Sequence, residues 1–147
     1  LYLRLKDSLP RNSPPQTLLF EAFFEGFRKA VPNLPALIPE VWLHWDPLTV
    51  KERGPDALLR FRMDFLLLLR QGVRVVIEVD GKHHYTDGVG NADVQRYANM
   101  VRGDRELKLA GYEVFRFGAA ELQTPDAKAN VKAFFSALFK RYGVPTS

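Results

Sequence analysis

The chain has 147 residues, 46% of them hydrophobic, which fits one domain with a core large enough to fold alone. It contains no cysteine, so disulfides and thiolate metal sites are excluded and any ion is left with oxygen ligands and three histidines, a usage that suits a reducing, cytoplasmic setting. The 21 Lys and Arg outweigh 17 acidic residues, a net charge of +4 that leans mildly towards polyanions, while no apolar run approaches the roughly 20 residues that span a bilayer and no leader pattern opens the chain, which argues against a membrane partner.

Residues 1–12 alternate weakly through Leu1, Leu3 and Leu5 and break at Pro10, and read as a tail or linker from a preceding region; the opening Leu1 suggests a domain cut from a longer chain whose other domains are its partners. The domain proper is expected over 13–147. Ser13 followed by Pro14, Pro15 and Gln16 is a helix start with a capping-box pattern, and the helix should run to about Ala30, burying Phe20, Phe23, Phe24 and Phe27 at i, i+3, i+4, i+7 spacing. Glu21 and Glu25 lie one turn apart on another of its faces. Prolines at 32, 35 and 39 exclude helix, so residues 36–45 read as a loop feeding a short strand at a sheet edge, followed by a polar loop over 46–57.

Residues 59–70 predict a strand, apolar on both faces from Phe65 to Leu69 and so central in its sheet; Gln71 and Gly72 turn it into a second strand, Val73 to Asp80, as an antiparallel hairpin. After a glycine-bearing loop, Asn91 is a plausible cap for a helix over 92–110, ended by Gly111, with Val94, Ala98, Val101 and Arg105 on its buried stripe. An arginine on that stripe needs solvent, a carboxylate or a phosphate. Tyr112 to Phe117 predicts a strand parallel to the second one through a right-handed crossover, and Thr124 and Pro125 start a last helix to Tyr142 that buries Val131, Phe134, Phe135, Leu138 and Tyr142. The expected class is α/β, a mixed sheet with helices on both faces.

The chemistry concentrates in RVVIEVDGKHH, residues 74–84. Alternation puts Val73, Val75, Ile77 and Val79 on one side of the strand and Val76, Glu78, Asp80 and Lys82 on the other. Ionised groups lined up beside a hydrophobic sheet cost desolvation and repulsion unless a cation or substrate sits among them. The hairpin can bring Asp64, which shares a face with Arg60, Arg62 and Leu66, opposite that row, although register is not fixed by the pattern. Two or three carboxylates of this kind suit Mg²⁺, with Mn²⁺ as a substitute: Asp64 and Asp80 as first ligands, the Gly81 carbonyl nearby, Glu78 for a second ion or as a base, and Lys82 to orient water and stabilise developing charge. Glu78 and Asp80 are both spaced to be the second carboxylate; Asp80 is favoured because Lys82 follows it, with Glu78 as an accessory.

These residues resemble the PD-(D/E)XK nuclease superfamily. More closely, DF, EVDGKHH, RGDREL on a helix and AGYEVFRF are similar to endonuclease-like domains related to very-short-patch-repair (Vsr) endonucleases, over roughly residues 14–122. The resemblance implies a restriction-endonuclease-like core, Mg²⁺ as cofactor and DNA as substrate, with Asp64, Asp80 and Lys82 as signature residues. It also implies a site glutamate in the first helix, where Glu21 is the matching position, and a role for His84 as general acid or phosphate contact. Met63 stands where the family has proline, at a position that supplies no ligand, and the structural zinc of the repair enzymes proper has no cysteines here. Arg62 and Arg105 are the candidate nucleic-acid contacts, and His44 and His83 read as surface or core groups. The expected function is a Mg²⁺-dependent DNA endonuclease, the nuclease domain of a larger repair, restriction or defence protein; a binding module without turnover and an RNase are the alternatives, and oligomeric state stays open.

Overall fold

A computed structural model describes residues 1–30, 33–42, 62–81 and 93–146. Among them, four strands make one sheet in the order β1 (Leu37–Trp42), β2 (Arg62–Leu68), β3 (Arg74–Asp80) and β4 (Tyr112–Gly118). The described helices are α1 (Tyr2–Asp7), α2 (Pro14–Gly26), α3 (Val94–Leu109) and α4 (Ala127–Arg141). The first three strands run antiparallel to their neighbours and β4 pairs parallel with β3, so the fold is α/β with a mixed sheet. None of the described helices is long and apolar enough to cross a membrane.

The hairpin forms where the glycine predicts it. Between Leu68 and its partner Arg74 the chain reverses with Gln71 at φ 60° and Gly72 at φ 75°, a left-handed pair in which glycine carries no Cβ penalty. Register then runs Leu68↔Arg74, Leu67↔Val75, Leu66↔Val76, Phe65↔Ile77. The return from α3 also depends on a glycine: Gly111 sits at φ 85°, and a Cβ there would meet the Arg74 guanidinium at 2.8 Å, the same group that donates to the Ala110 carbonyl and stacks over Tyr112.

Alternation sorts the sheet into two faces. Leu37, Phe65, Leu67, Val75, Ile77, Val79 and Phe117 point into the core, where α2 and α4 cover them with Leu19, Phe20, Phe23, Val131, Phe135 and Phe139. Rings interlock edge to face, Phe23 with Phe135 at 4.6 Å and Phe27 with Phe139 at 5.1 Å between centroids. On the opposite face Arg116, which alternates with Phe115 and Phe117, bonds Asp104 of α3, so helices lie on both sides of the sheet as expected.

Several local expectations are corrected. Residues Tyr2–Asp7 form a short helix, tied to α2 by Tyr2 stacking on Phe20 at 5.5 Å and by a 2.7 Å ion pair from Lys6 to Glu21. Six residues are too few for helical periodicity to stand out in sequence. Ser13 occupies the cap position of α2 without a side-chain bond, and Gln16 is buried with Oε1 unpartnered, so the capping box does not close; the Ser13 carbonyl instead accepts from the Thr17 amide and hydroxyl. The first helix ends at Gly26 and continues only as a 3-10 turn over Arg28–Ala30. Asp93 caps α3 by accepting from the Arg96 amide at 3.0 Å, while the expected cap Asn91 lies outside the described residues. The partly buried side of α3 carries Met100, Val101, Asp104 and Leu107; of the expected stripe Val101 lies there, while Val94, Ala98 and Arg105 are exposed. On α4, Val131, Phe135 and Leu138 are buried as expected, Phe134 and Tyr142 only partly, and Phe139 joins the core.

Because Phe135 is fully buried between α2 and α4, Phe135→Ala is expected to lower the unfolding free energy by about 3–5 kcal/mol, whereas Phe134→Ala, at a half-buried position, costs less. Guanidinium unfolding followed by tryptophan fluorescence checks the order of the two.

Candidate functional site

The polar face is built by one row across all four strands. Pro39↔Phe65 and Val41↔Met63 bracket Glu40 opposite Asp64; the step after Phe65↔Ile77 sets Asp64 opposite Glu78; and Glu78 pairs in register with Arg116. Since partners across a ladder share a face, Glu40, Asp64, Glu78 and Arg116 all point the same way, and Asp80 follows Glu78 on that face two residues on. Asp104 reaches the row from α3.

Each side chain is held differently. Asp64 is 8% exposed and its Oδ2 accepts from the Val79 amide at 2.8 Å, a bond from β3 that fixes the carboxylate at the end of the hairpin ladder. Asp80 is equally buried; its Oδ1 accepts from Arg116 Nη1 at 2.7 Å, and its carbonyl accepts from the Ala119 amide at 2.8 Å. Arg116 Nε donates to both Asp104 oxygens, at 3.0 and 3.2 Å, and Nη2 donates to Asp104 Oδ1. Burial alone would lower the affinity of that guanidinium for its proton, but the hydrogen bonds and charges of Asp104 and Asp80 outweigh it and hold its pKa above the usual value.

Glu78 has no hydrogen bond or ion pair among the described residues. Burial first, and then the negative charge of Asp64, push its carboxyl up to about 8; Arg116 opposes this, and Asp80 and Asp104 add to it. Glu40 shows the same strain in milder form. It sits at φ 53° within a strand, a left-handed conformation costly for any residue with a Cβ, with Oε1 buried and unpartnered and Oε2 3.2 Å from Arg62. Its pKa is raised by burial and by Asp64, against the pull of Arg62.

Asp64, Glu78 and Asp80 are thus placed on one face. Glu21 lies apart from them, ion-paired with Lys6 on a helix that covers the other face. Arg62 is spent on Glu40, and Arg105 is exposed on the outer side of α3. Lys82, His83, His84 and His44 fall outside the described residues. Among the described residues, a Cβ on Gly81 would meet nothing within 4 Å. Sequence reasoning missed Glu40, Asp104 and Arg116. The signal for Arg116 was present, since in YEVFRF it alternates against Phe115 and Phe117 and a parallel crossover sets it beside the EVD strand.

Among the described residues no group of three or more His, Asp or Glu forms a ready-made metal cluster. The donor set nevertheless fits a hard dication: the carboxylates of Asp64, Glu78, Asp80 and Asp104 face the single guanidinium of Arg116, and Glu78 and one oxygen of Asp64 lack partners among the described residues. Mg²⁺ needs few protein oxygens and keeps several waters. No family model, curated protein or solved structure matches the chain.

The raised Glu78 pKa has a signed consequence for stability. A carboxyl at about 8 when folded and about 4.5 when unfolded contributes stability that is fully present below pH 4.5 and lost as pH rises through 8. In chelator, Glu78→Gln is expected to match the wild type near pH 4 and to exceed it at pH 9 by on the order of 2–4 kcal/mol, read by denaturant unfolding across that range.

Proposed function

We propose that this chain is a Mg²⁺-dependent DNA endonuclease domain on a restriction-endonuclease-like core, resembling PD-(D/E)XK nucleases of the Vsr-related kind. The observation that carries the reading is the row in which Asp64 and Glu78 face each other across the hairpin with Asp80 alongside, carboxylates that outnumber the Arg116 cation among the described residues. The ligands that would hold Mg²⁺, with Mn²⁺ as a substitute, are drawn from Asp64, Glu78 and Asp80; when bound, the ion supplies Lewis acidity towards a phosphoryl oxygen and a more acidic water.

The chain's own residues account for the rest of the proposal. Asp64, clamped by the Val79 amide, presents a fixed oxygen, which limits the reorganisation needed when substrate arrives. Where Glu78 does not hold the ion, its carboxyl, pushed up to about 8 chiefly by burial, is suited to take a proton from an incoming water. Gly81 leaves room for a nucleic-acid backbone, Lys82 is the proposed stabiliser of developing charge, and His84 the proposed donor to the leaving oxygen or contact to phosphate. Arg105, exposed on α3, remains a candidate phosphate contact.

Incubation with supercoiled plasmid and Mg²⁺ or Mn²⁺ is expected to give nicked or linear product, with no product in chelator. Asp64→Asn and Glu78→Gln are each expected to lower the rate by about 100-fold or more while keeping the wild-type circular dichroism. Activity that survives intact in both folded variants, or salt-dependent DNA binding with no product under either ion, rejects the endonuclease reading; parallel assays on matched RNA separate DNA from RNA as substrate.

A further inference from the structure

We propose that Arg116 is a positioning residue that sorts the carboxylates: by holding Asp80 it withdraws Asp80 from the cation and leaves Asp64 and Glu78 as the pair that binds it. This rests on the metal-dependent reading of the site and reverses the order expected from sequence, where Asp80 is favoured as the second carboxylate and Glu78 is an accessory.

The geometry makes the division. Three nitrogens of Arg116 are engaged, Nη1 by Asp80 at 2.7 Å and Nε and Nη2 by Asp104, so the guanidinium is fixed between β3 and α3 and has no freedom to swing away. Arginine does not lose its proton in proteins, which makes this a permanent cation seated on Asp80. The backbone of Asp80 is held as well, its carbonyl accepting from the Ala119 amide where β3 and β4 end together. A dication coordinated by Asp80 would stand against a guanidinium already there. Glu78 is the residue in register with Arg116, yet it makes no hydrogen bond to it among the described residues; it feels the charge of Asp64, whose Oδ2 is occupied by the Val79 amide and whose Oδ1 has no partner among the described residues. Asp104 matters as the anchor that keeps the guanidinium in place.

Calorimetric titration of the whole chain with MnCl₂ separates the roles without depending on turnover. Glu78→Gln is expected to weaken Mn²⁺ binding by about thirtyfold or more, and Asp80→Asn by no more than about threefold. Arg116→Met is expected to tighten binding by about tenfold, because Asp80 is released to the ion, and the gain should disappear in Arg116→Met/Asp80→Asn, while the charge-preserving Arg116→Lys stays near wild type. A merely structural role for Arg116 predicts weaker binding in Arg116→Met. Equal losses in Asp80→Asn and Glu78→Gln, or a gain that persists in the double variant, overturns the proposal. Should Arg116→Met fail to fold, the comparison of Asp80→Asn with Glu78→Gln decides it alone. Wild-type protein that takes up no Mn²⁺ at all removes the metal-dependent reading and this inference with it, an outcome distinct from Mn²⁺ binding in which the carboxylates are interchangeable.

Discussion

The polar face depends on one unfavourable arrangement, two carboxylates opposed across an antiparallel hairpin, neither of them ion-paired with a cation among the described residues. Burial removes the water that would solvate them, and like charges at that spacing repel. Burial first, and then the Asp64 charge, push the Glu78 carboxyl up to about 8. The opposite face makes this tolerable, because the same β3 strand buries Val75, Ile77 and Val79 completely or nearly so under two phenylalanine-rich helices. The period of two in the strand therefore does two jobs: odd positions supply the apolar contacts that hold the sheet together, and even positions carry a charge pattern that the fold on its own would not favour.

The crossover from β3 through α3 to β4 acquires a chemical role from this. It brings β4 into parallel register, which seats Arg116 beside Glu78, and it lays α3 where Asp104 can grip that arginine. No residue of α3 is fully buried, so apolar packing alone holds the helix weakly. The Arg116 bonds to Asp104 and Asp80 tie it to the sheet, and they do so at the end of β3 where the glycine and the basic and imidazole residues of DGKHH follow.

Much of this was legible in the residues. The alternation of VVIEVD, the glycine at the hairpin turn, the edge position of the proline-bearing strand and the α/β class all follow from period and turn chemistry, and the structure agrees. What the sequence could not supply was register and helix phase. Glu40 lies opposite Asp64 only because the ladder steps past Pro39 with a left-handed residue, which no propensity predicts. On α3 only Val101 of the expected stripe faces inward, because the helix is so polar that several phases fit its few apolar residues, and the observed one is marked by the partly buried Asp104. Asn91 and Asp93 are both good caps two residues apart, and only the bond to the Arg96 amide distinguishes them.

Charge distribution bears on the choice between a cutting and a merely binding domain. A phosphodiester approaching this face meets Asp64, Glu78, Asp80 and Asp104, a potential of the wrong sign for a polyanion, although the chain as a whole carries +4. Of the exposed arginines of α3, Arg96 pairs with Asp93 and Arg102 and Arg105 lie on the helix side turned away from the sheet, while Arg62 is paired with Glu40. Under the proposed endonuclease reading, an acidic row of this kind would need a dication to reverse the local sign before a phosphate could enter, so nucleic-acid engagement at this face would depend on metal uptake.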